Sequence, residues 1–157
     1  MTETKSFMVE DATIIFKNFE GKEDKYNRAG DRNFSVILTT DVAKAMESDG
    51  WNVKYLRARE EGEEQTPYIS VAVNFKNRPP RIMMITSTSR TLVTEDIVDT
   101  LDYADISMID LIARGYEWDV NGKKGIKAYL QSMFITIEED ALELKYGQLN
   151  DNNNNNE

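Results

Sequence analysis

The sequence predicts a small all-β domain with one or two short helices. The main evidence is the stretch from Asp105 to Ile137, in which two apolar-rich runs flank Asn121-Gly122. Asn and Gly tolerate positive φ, which a type I′ turn requires at its two central residues, so this stretch predicts a long β-hairpin. Further short runs rich in β-branched and aromatic residues indicate the remaining strands.

Length and composition favour one domain without catalytic chemistry. The 157 residues suit a single domain, which we expect over residues 1–146, followed by a disordered Asn-rich tail over 147–157. The chain has no Cys and no His, which removes disulfides, zinc–thiolate sites and the commonest general base. We expect no enzyme activity, metal or cofactor. No apolar run reaches the ~20 residues of a membrane span and no signal peptide is evident, so a cytoplasmic protein is expected.

The N-terminal region predicts one strand and a long loop. Residues 7–19 are expected to form a strand with Ala12, Ile14 and Phe16 on one face. Residues 20–33 are polar and hold two Gly residues, which predicts a loop. A loop of this length is either a ligand contact or a solvated connector, and the sequence leaves both open.

A strand over residues 34–39 and a short helix are expected next. Asp41 is the predicted N-cap of a helix that runs through Ser48 and ends at Gly50. The side chains expected to face inward are Val42, Ala45 and Met46.

The segment from Trp51 to Arg59 alternates like a strand. Its aromatic and apolar positions, Trp51, Val53 and Tyr55, lie on the same side as Arg57 and Arg59. That side is either part of a binding surface or a core strip whose arginines reach outward, and for Trp51 we favour the core.

The middle of the chain predicts two strands joined by a basic corner. The strands are expected over residues 68–75 and 82–87. Two prolines within residues 76–81 interrupt the pairing and hold basic side chains outward. A short helix is then predicted over residues 94–101, with Thr94 as its N-cap.

The two faces of the predicted hairpin differ in chemistry. A two-residue turn or a four-residue loop gives the same two sets, because side chains alternate along a strand. The core set is Ile109, Leu111, Ala113, Ile126, Ala128, Leu130 and Phe134. The aromatic and cationic set is Arg114, Tyr116, Trp118, Lys123, Lys127, Tyr129 and Gln131. The second set predicts a surface for a flat, negatively charged ligand, unless a bulge at Gly115 mixes the faces or the rings serve only as cross-strand pairs.

The order of elements matches a five-stranded OB-like barrel with a long C-terminal hairpin. In that fold a helix lies before the last two strands, which is where residues 94–101 fall. A β-sandwich built from the same strands is the alternative. An OB groove binds single strands by stacking bases on aromatic rings and contacting phosphates with Lys and Arg. The predicted binding residues are Arg57, Arg59, Lys76, Arg78, Arg81, Arg114, Tyr116, Trp118, Lys123, Lys124, Lys127 and Tyr129.

The charge distribution permits such a site in an acidic chain. The formal net charge is −9, but residues 138–157 carry −5 of it, and four Glu residues between 60 and 64 carry the other −4. The remaining body is nearly neutral and has room for a basic patch.

Most of residues 10–146 resembles a group of small bacteriophage single-stranded-DNA-binding proteins. The stretches that carry the resemblance are GDRNFSVIL (30–38), DGWNVKYLRAREEGEE (49–64), NFKNRPPRIMMITS (74–87) and YEWDVNGKKGIKAYLQSMFITIEED (116–140). The resemblance implies an OB fold, sequence-tolerant binding of single-stranded DNA and a role in phage replication or recombination in the bacterial host cytoplasm. It implies no catalytic residues. Replication proteins and further copies of the chain are conceivable partners.

Three other functions fit parts of the sequence. The acidic charge also suits a small interaction or inhibitor protein that mimics nucleic acid. A metal-dependent nuclease would use Asp105, Asp110 and Asp119, whose carboxylates would have to converge on the metal ions. Asp110 and Asp119 are an odd number of residues apart, so an unbulged strand would point them to opposite faces. A structural virion protein is the third.

Overall fold

The computed structural model describes residues 5–57 and 60–138. Its strands are β1 (Ser6–Val9), β2 (Ile14–Asn18), β3 (Arg32–Ile37), β4 (Val53–Tyr55), β5 (Pro67–Val73), β6 (Arg81–Ile85), β7 (Arg90–Val93), β8 (Ile106–Val120) and β9 (Lys123–Ile137). One α-helix, α1 (Thr40–Asp49), lies between β3 and β4, and a 3₁₀ helix (Val98–Tyr103) lies between β7 and β8.

The strands form one sheet, which confirms the all-β class. Its main path runs β1-β8-β9-β5-β3-β2, while β4 pairs with β5, β6 with β9, and β7 with β6. β9 pairs in parallel with β5 and β6, and the other pairs are antiparallel. The two ends of the path, β1 and β2, do not pair within the described part of the chain, so this nine-stranded sheet is not closed and the predicted five-stranded barrel describes it only loosely.

The C-terminal hairpin has the predicted two-residue turn. Asn121 and Gly122 both adopt positive φ, 52° and 80°, and the pairing begins at once between Val120 and Lys123. This is the geometry that a type I′ turn requires.

A bulge at Gln131 changes the faces in the distal half of the hairpin. Ala113 pairs with Leu130 and Ile112 pairs with Ser132, so Gln131 has no partner across the ladder. One extra residue shifts the alternation of the bulged strand by one position. As a result, Met133 and Ile135 are buried. Phe134 is 41% exposed, and its predicted place in the core was wrong.

The N-terminal strand is broken in two. Asp11 adopts a φ of 48° between β1 and β2, and Phe16 adopts a φ of 53° where the register of β2 shifts. Phe16 is exposed, whereas Ala12 and Ile14 pack against the core. The prediction that these three side chains share a face was therefore wrong, because the bulge turns Phe16 outward.

The helix α1 begins two residues earlier than predicted. Its N-cap is Thr39, not Asp41, and the Thr39 side chain accepts a hydrogen bond from the Val42 amide at 3.4 Å. Ala43 and Met46 are the buried residues of this helix. The inward positions predicted at Val42 and Ala45 were wrong, since both are exposed.

After α1, Trp51 lies in the core, which is the interpretation that the sequence favours for this residue. Gly50 ends the helix with a φ of 99°, as predicted, and Trp51 is buried. The following strand is only three residues long, so Arg57 lies beyond its end. Arg59 lies outside the described residues, as does the predicted tail.

The helix predicted over residues 94–101 begins later in the chain, and it is a 3₁₀ helix, which is wound more tightly than an α-helix. The structure has a 3₁₀ helix over Val98–Tyr103, with Val98 and Leu101 buried beneath it. The Thr94 hydroxyl donates to the Asp96 carboxylate and does not cap that helix. No helix in the described ranges is long and apolar enough to cross a membrane.

Candidate nucleic-acid interface

One outward face of the sheet crosses five strands. Pairing places residues of β8, β9, β5, β3 and β2 side by side in a row, namely Arg114, Tyr129, Ala72, Asn33 and Asn18. Paired residues point to the same side of a sheet, so this row faces away from the core. With strands ~4.8 Å apart, the row spans about 19 Å. We call this surface the outer face.

Neighbouring positions on the same strands extend the outer face. Tyr116 pairs with Lys127, and Trp118 pairs with Gly125. On the other strands the pairs are Ser70 with Ser35 and Tyr68 with Lys54. The centre of the surface consists of small side chains, Asn33, Ser35, Ser70 and Ala72, which we call the polar floor. Small side chains here leave room for a ligand to approach the sheet.

Two tyrosines and a lysine lie together on the hairpin side of the floor. The Tyr116 and Tyr129 rings meet edge to face, with centroids 6.3 Å apart. The Lys127 ammonium lies 5.2 Å from the centroid of the Tyr129 ring. Tyr116 is 60% exposed, so its ring has free surface for stacking.

Beside Tyr129 is a groove of 360 Å³ whose walls carry three cations and two acids, Asp31 and Glu95. Lys76, Arg32 and Lys127 line it together with Phe75. The Arg32 guanidinium lies 5.9 Å from the Phe75 ring centroid and forms an ion pair with Glu95 at 3.2 Å. Lys76 and Lys127 are the exposed cations of this groove.

A larger cleft of 790 Å³ lies on the opposite side of the floor. The Phe16 and Tyr68 rings meet there edge to face, with centroids 5.8 Å apart. Tyr26 and Tyr103 also line the cleft, and both are highly exposed, at 91% and 72%. Asn33 and Ser70 border both the cleft and the groove, so the two hollows form one continuous surface.

The cleft carries its own cations, Lys17, Lys22 and Lys54. The Lys22 ammonium donates to the Tyr103 hydroxyl at 3.3 Å and pairs with Glu20 at 3.5 Å. The hydrogen bond to Tyr103, followed by the charge of Glu20, raises the pKa of Lys22 above its usual value. This lysine therefore remains cationic at neutral pH.

The loop between β2 and β3 forms one wall of the cleft and is held by two side chains. The Asn27 amide donates to the carbonyl oxygens of Lys22, Arg28 and Asp31 at 2.8, 3.1 and 2.9 Å, and its oxygen accepts from the Asn33 amide at 2.9 Å. At the start of the loop, the Asp102 carboxylate accepts from the backbone amides of Phe19 and Glu20 at 2.7 and 2.9 Å. These bonds tie the loop to the polar floor and to the 3₁₀ helix.

The structure brings some of the predicted binding residues together and separates others. On the outer face or in its groove are Lys76, Arg114, Tyr116, Trp118, Lys127 and Tyr129. Lys123 and Lys124 are exposed at the hairpin tip. Arg78 lies next to Arg114, which donates to its carbonyl oxygen at 3.2 Å. Arg81 is exposed at the start of β6 and Arg57 follows β4, and neither lines the groove or the cleft.

Arg114 and Trp118 are less available than the sequence predicts. Partial burial and then the nearby charge of Arg78 lower the pKa of Arg114 below its usual value. Trp118 is half-buried, and a Cβ atom at Gly125 would lie only 2.6 Å from its ring. The hollow around Trp118 is lined by the acidic residues Asp49, Glu117 and Asp119.

Sequence analysis missed the cleft side of the surface. The missed residues are Phe16, Lys17, Lys22, Tyr26, Lys54, Tyr68 and Tyr103. One available indication was the alternation in β5, where Tyr68, Ser70 and Ala72 separate buried Ile and Val residues. Phe16 gave no such indication, because its direction depends on a bulge.

The chain matches one protein family over almost its whole length. Residues 1–156 match the family of the phage ssDNA-binding domain. The chain belongs to that family. Among curated proteins, none matches the chain in sequence.

Solved structures resemble this phage ssDNA-binding domain in fold. The single-stranded DNA-binding protein from bacteriophage Enc34, in a C-terminally truncated form, has a TM-score of 0.53 and 10% identity, with 86% of this chain and 87% of that chain covered. The same Enc34 protein in complex with ssDNA has a TM-score of 0.51 and 8% identity, with coverage of 86% and 88%. At this level of identity the similarity concerns the fold.

Proposed function

We propose that this protein binds single-stranded DNA with little sequence preference through its outer face. The observation that carries the proposal is the pair of ring clusters, Tyr116–Tyr129 and Phe16–Tyr68, on either side of the polar floor. Cations lie beside both clusters. Bases stacked on such rings gain ~1–3 kcal/mol each, and cations along the path neutralise phosphates.

The arrangement favours a strand that crosses the sheet from the hairpin to β2. Tyr129 and Tyr116 stack bases at one end, and Phe16, Tyr68 and the exposed Tyr26 stack bases at the other. Lys76 and Lys127 contact phosphates beside the groove. The other cations proposed to contact DNA are Lys17, Lys22, Lys54, Arg78, Arg114, Lys123 and Lys124. Trp118 borders this path, whereas Arg57 and Arg81 lie outside the groove and the cleft and are not assigned to it.

Sequence tolerance follows from the chemistry of the surface. Every base has a π face, so stacking does not distinguish one sequence from another. The floor offers only a few short polar side chains, chiefly Asn33, Ser35 and Ser70, for reading base edges. Discrimination between bases requires several well-placed hydrogen bonds, and this floor provides little for that purpose.

We further infer a role in phage DNA replication or recombination. Both processes expose single strands of arbitrary sequence, which require a binder of this kind. The phage family to which the chain belongs supports this role.

The experiment is a fluorescence-anisotropy titration of the full chain against labelled DNA. The DNA comprises an oligo-dT, a mixed-sequence single strand of the same length and the corresponding duplex, each measured at several salt concentrations. We expect similar affinities for the two single strands, weaker binding to the duplex, and a log–log salt slope of about −0.7 for each phosphate contacted. Absence of binding, or affinity that does not respond to salt, would contradict the proposal and favour the interaction-protein alternative.

A further inference from the structure

A second outward surface lies beyond the bulge at Gln131. Pairing across β1, β8, β9, β6 and β7 places apolar side chains side by side in adjacent rows. In one row Phe134 pairs with Met83, which pairs with Leu92. In the flanking rows Ile112 pairs with Met8, and Met108 lies beside Thr136. We call Met8, Met83, Leu92, Met108, Ile112 and Phe134 the apolar patch.

The apolar patch is accessible, and Asp110 interrupts it on β8 between Met108 and Ile112. Met8 is 64% exposed, Leu92 52%, Met108 45% and Phe134 41%. Single exposed apolar residues are normal, but a group of neighbouring ones marks an interaction site. Five strands ~4.8 Å apart and three rows ~6.8 Å apart give an area on the order of 500 Å².

Charges of opposite sign border the patch on its two sides. Arg81 and Arg90 lie on β6 and β7, towards one side of the patch. Towards the other side, Asp110 lies on β8 between Met108 and Ile112 and pairs with Phe134, and the exposed Glu10 follows β1. Within residues 5–57 and 60–138, neither arginine forms an ion pair. The surface is therefore complementary to itself, with one basic edge and one acidic edge.

We propose that a second copy of this chain docks on the apolar patch. A two-fold axis parallel to the strands stacks one patch on the other and places the basic edge of each copy over the acidic edge of its partner. Such an isologous contact requires a surface that complements itself, as this one does. Apolar side chains meet at the centre, and ion pairs form between Asp110 and Glu10 of one copy and Arg81 and Arg90 of the other.

The area sets the expected strength of this pairing. Two patches bury on the order of 1,000 Å² in total, which is at the lower limit for a specific interface. The dimer is therefore weak and depends on protein concentration.

Pairing through the patch leaves the outer face open. Both surfaces belong to the β8–β9 hairpin, but Tyr116, Lys127 and Tyr129 lie on the turn side of the bulge, whereas Ile112 and Phe134 lie beyond it. A dimer thus presents two free grooves. The inference does not depend on the proposed DNA-binding function, since association occurs without nucleic acid.

Sedimentation velocity of the full chain without DNA, from micromolar to near-millimolar concentration, tests the proposal. We expect a reversible monomer–dimer equilibrium that Phe134→Lys weakens at least about tenfold, because it places a charge from each copy at the centre of the interface. Val42→Lys is the matched control, since Val42 is similarly exposed on α1 away from the patch, and it should leave the equilibrium unchanged. Thermal unfolding verifies that each variant is folded.

Charge reversal identifies the partner as a second copy. Arg81→Glu with Arg90→Glu should weaken dimerisation, and adding Glu10→Arg in the same chain should restore it in part, because the two edges meet across the axis. A monomer at every concentration, as expected if residues 139–157 cover the patch, would overturn the proposal. An equilibrium that does not respond to Phe134→Lys would also overturn it.

Discussion

Tyr116 and Tyr129 meet edge to face across the β8–β9 ladder, with ring centroids 6.3 Å apart. Tyr116 pairs with Lys127, and Tyr129 pairs with Arg114, so rings and cations alternate on adjacent strands. Edge-to-face packing holds the two rings at a fixed orientation, and Tyr116 remains 60% exposed. The arrangement presents stacking surfaces beside positive charges before any ligand binds.

Tyr129→Ala should weaken binding to single-stranded DNA by about 1–3 kcal/mol, the value of one stacked base. Fluorescence anisotropy with oligo-dT measures the change. Tyr55→Ala is the matched control, because Tyr55 is an exposed tyrosine on β4 that bonds Glu47 of α1 and lies off the outer face. Equal losses of affinity for Tyr129→Ala and Tyr55→Ala would show that Tyr129 does not contact the DNA.

The substitution Phe16→Gly should lower the affinity for single-stranded DNA while changing the free energy of unfolding only slightly. Phe16 has a φ of 53°, a conformation that costs a non-glycine residue ~1–2 kcal/mol and glycine almost nothing. The free energy of unfolding should therefore change by less than about 1 kcal/mol, because relief of strain offsets the lost contact with Tyr68. Affinity for oligo-dT should fall, since a stacking ring is lost. Unchanged affinity would place the DNA path away from the cleft.

Lys54→Glu and Lys127→Glu should each reduce the steepness of the salt dependence. A single phosphate contact contributes about −0.7 to the slope of log affinity against log salt for single strands. Lys44→Glu makes the same charge change on the exposed side of α1 and should lower affinity only slightly, with the slope retained. A slope that does not respond to the first two substitutions would exclude these lysines from the phosphate path.

Asp102 should act as a positioning residue for the cleft wall. Asp102→Ala leaves the amides of Phe19 and Glu20 without their acceptor, which costs roughly 1–3 kcal/mol of stability and loosens the loop that carries Tyr26. Asp102→Asn keeps one acceptor oxygen and should retain part of the stability. Chemical denaturation and oligo-dT titration measure the two effects. Equal stability of the two variants and the native chain would show that these bonds contribute little.

Gly115→Ala should destabilise the fold through crowding beneath the outer face. A Cβ atom at Gly115 would lie 2.6 Å from Ile126 Cγ2 and 2.7 Å from Trp51 Cη2. Overpacking of this kind costs typically about 1–3 kcal/mol. Ile126→Ala should cost less stability in the Gly115→Ala background than in the native chain, because it removes one of the clashing atoms. If the losses of stability from Gly115→Ala and Ile126→Ala are additive in a double-mutant cycle measured by thermal unfolding, the structure relieves the clash at Gly115 in another way.

The hairpin shows what local sequence determines. Asn121-Gly122 specifies both the turn and the register, so the pairing of Tyr116, Trp118 and Arg114 follows directly. The bulge at Gln131 has no comparable local cause, because it contains neither Gly nor Pro. For that reason Phe134 was assigned to the core and the apolar patch could not be foreseen.

The cleft shows what only tertiary structure determines. Phe16, Tyr68 and Tyr103 lie on three separate elements, and strand pairing and the loop between β2 and β3 bring them together. No spacing within one segment could predict that meeting. The basic corner at Lys76 was predicted as exposed from its prolines, but its position beside Tyr129 depends on the parallel pairing of β5 with β9.

The most direct measurement of the central claim is an oligo-dT titration of the double variant Tyr68→Ala, Tyr129→Ala beside the native chain and Tyr55→Ala. The two tyrosines lie on opposite sides of the polar floor, so the variant removes a stacking surface at each end. The account predicts a loss of about 2–6 kcal/mol for the double variant, from two stacked bases, with native affinity for Tyr55→Ala. Native affinity in a folded double variant would contradict it.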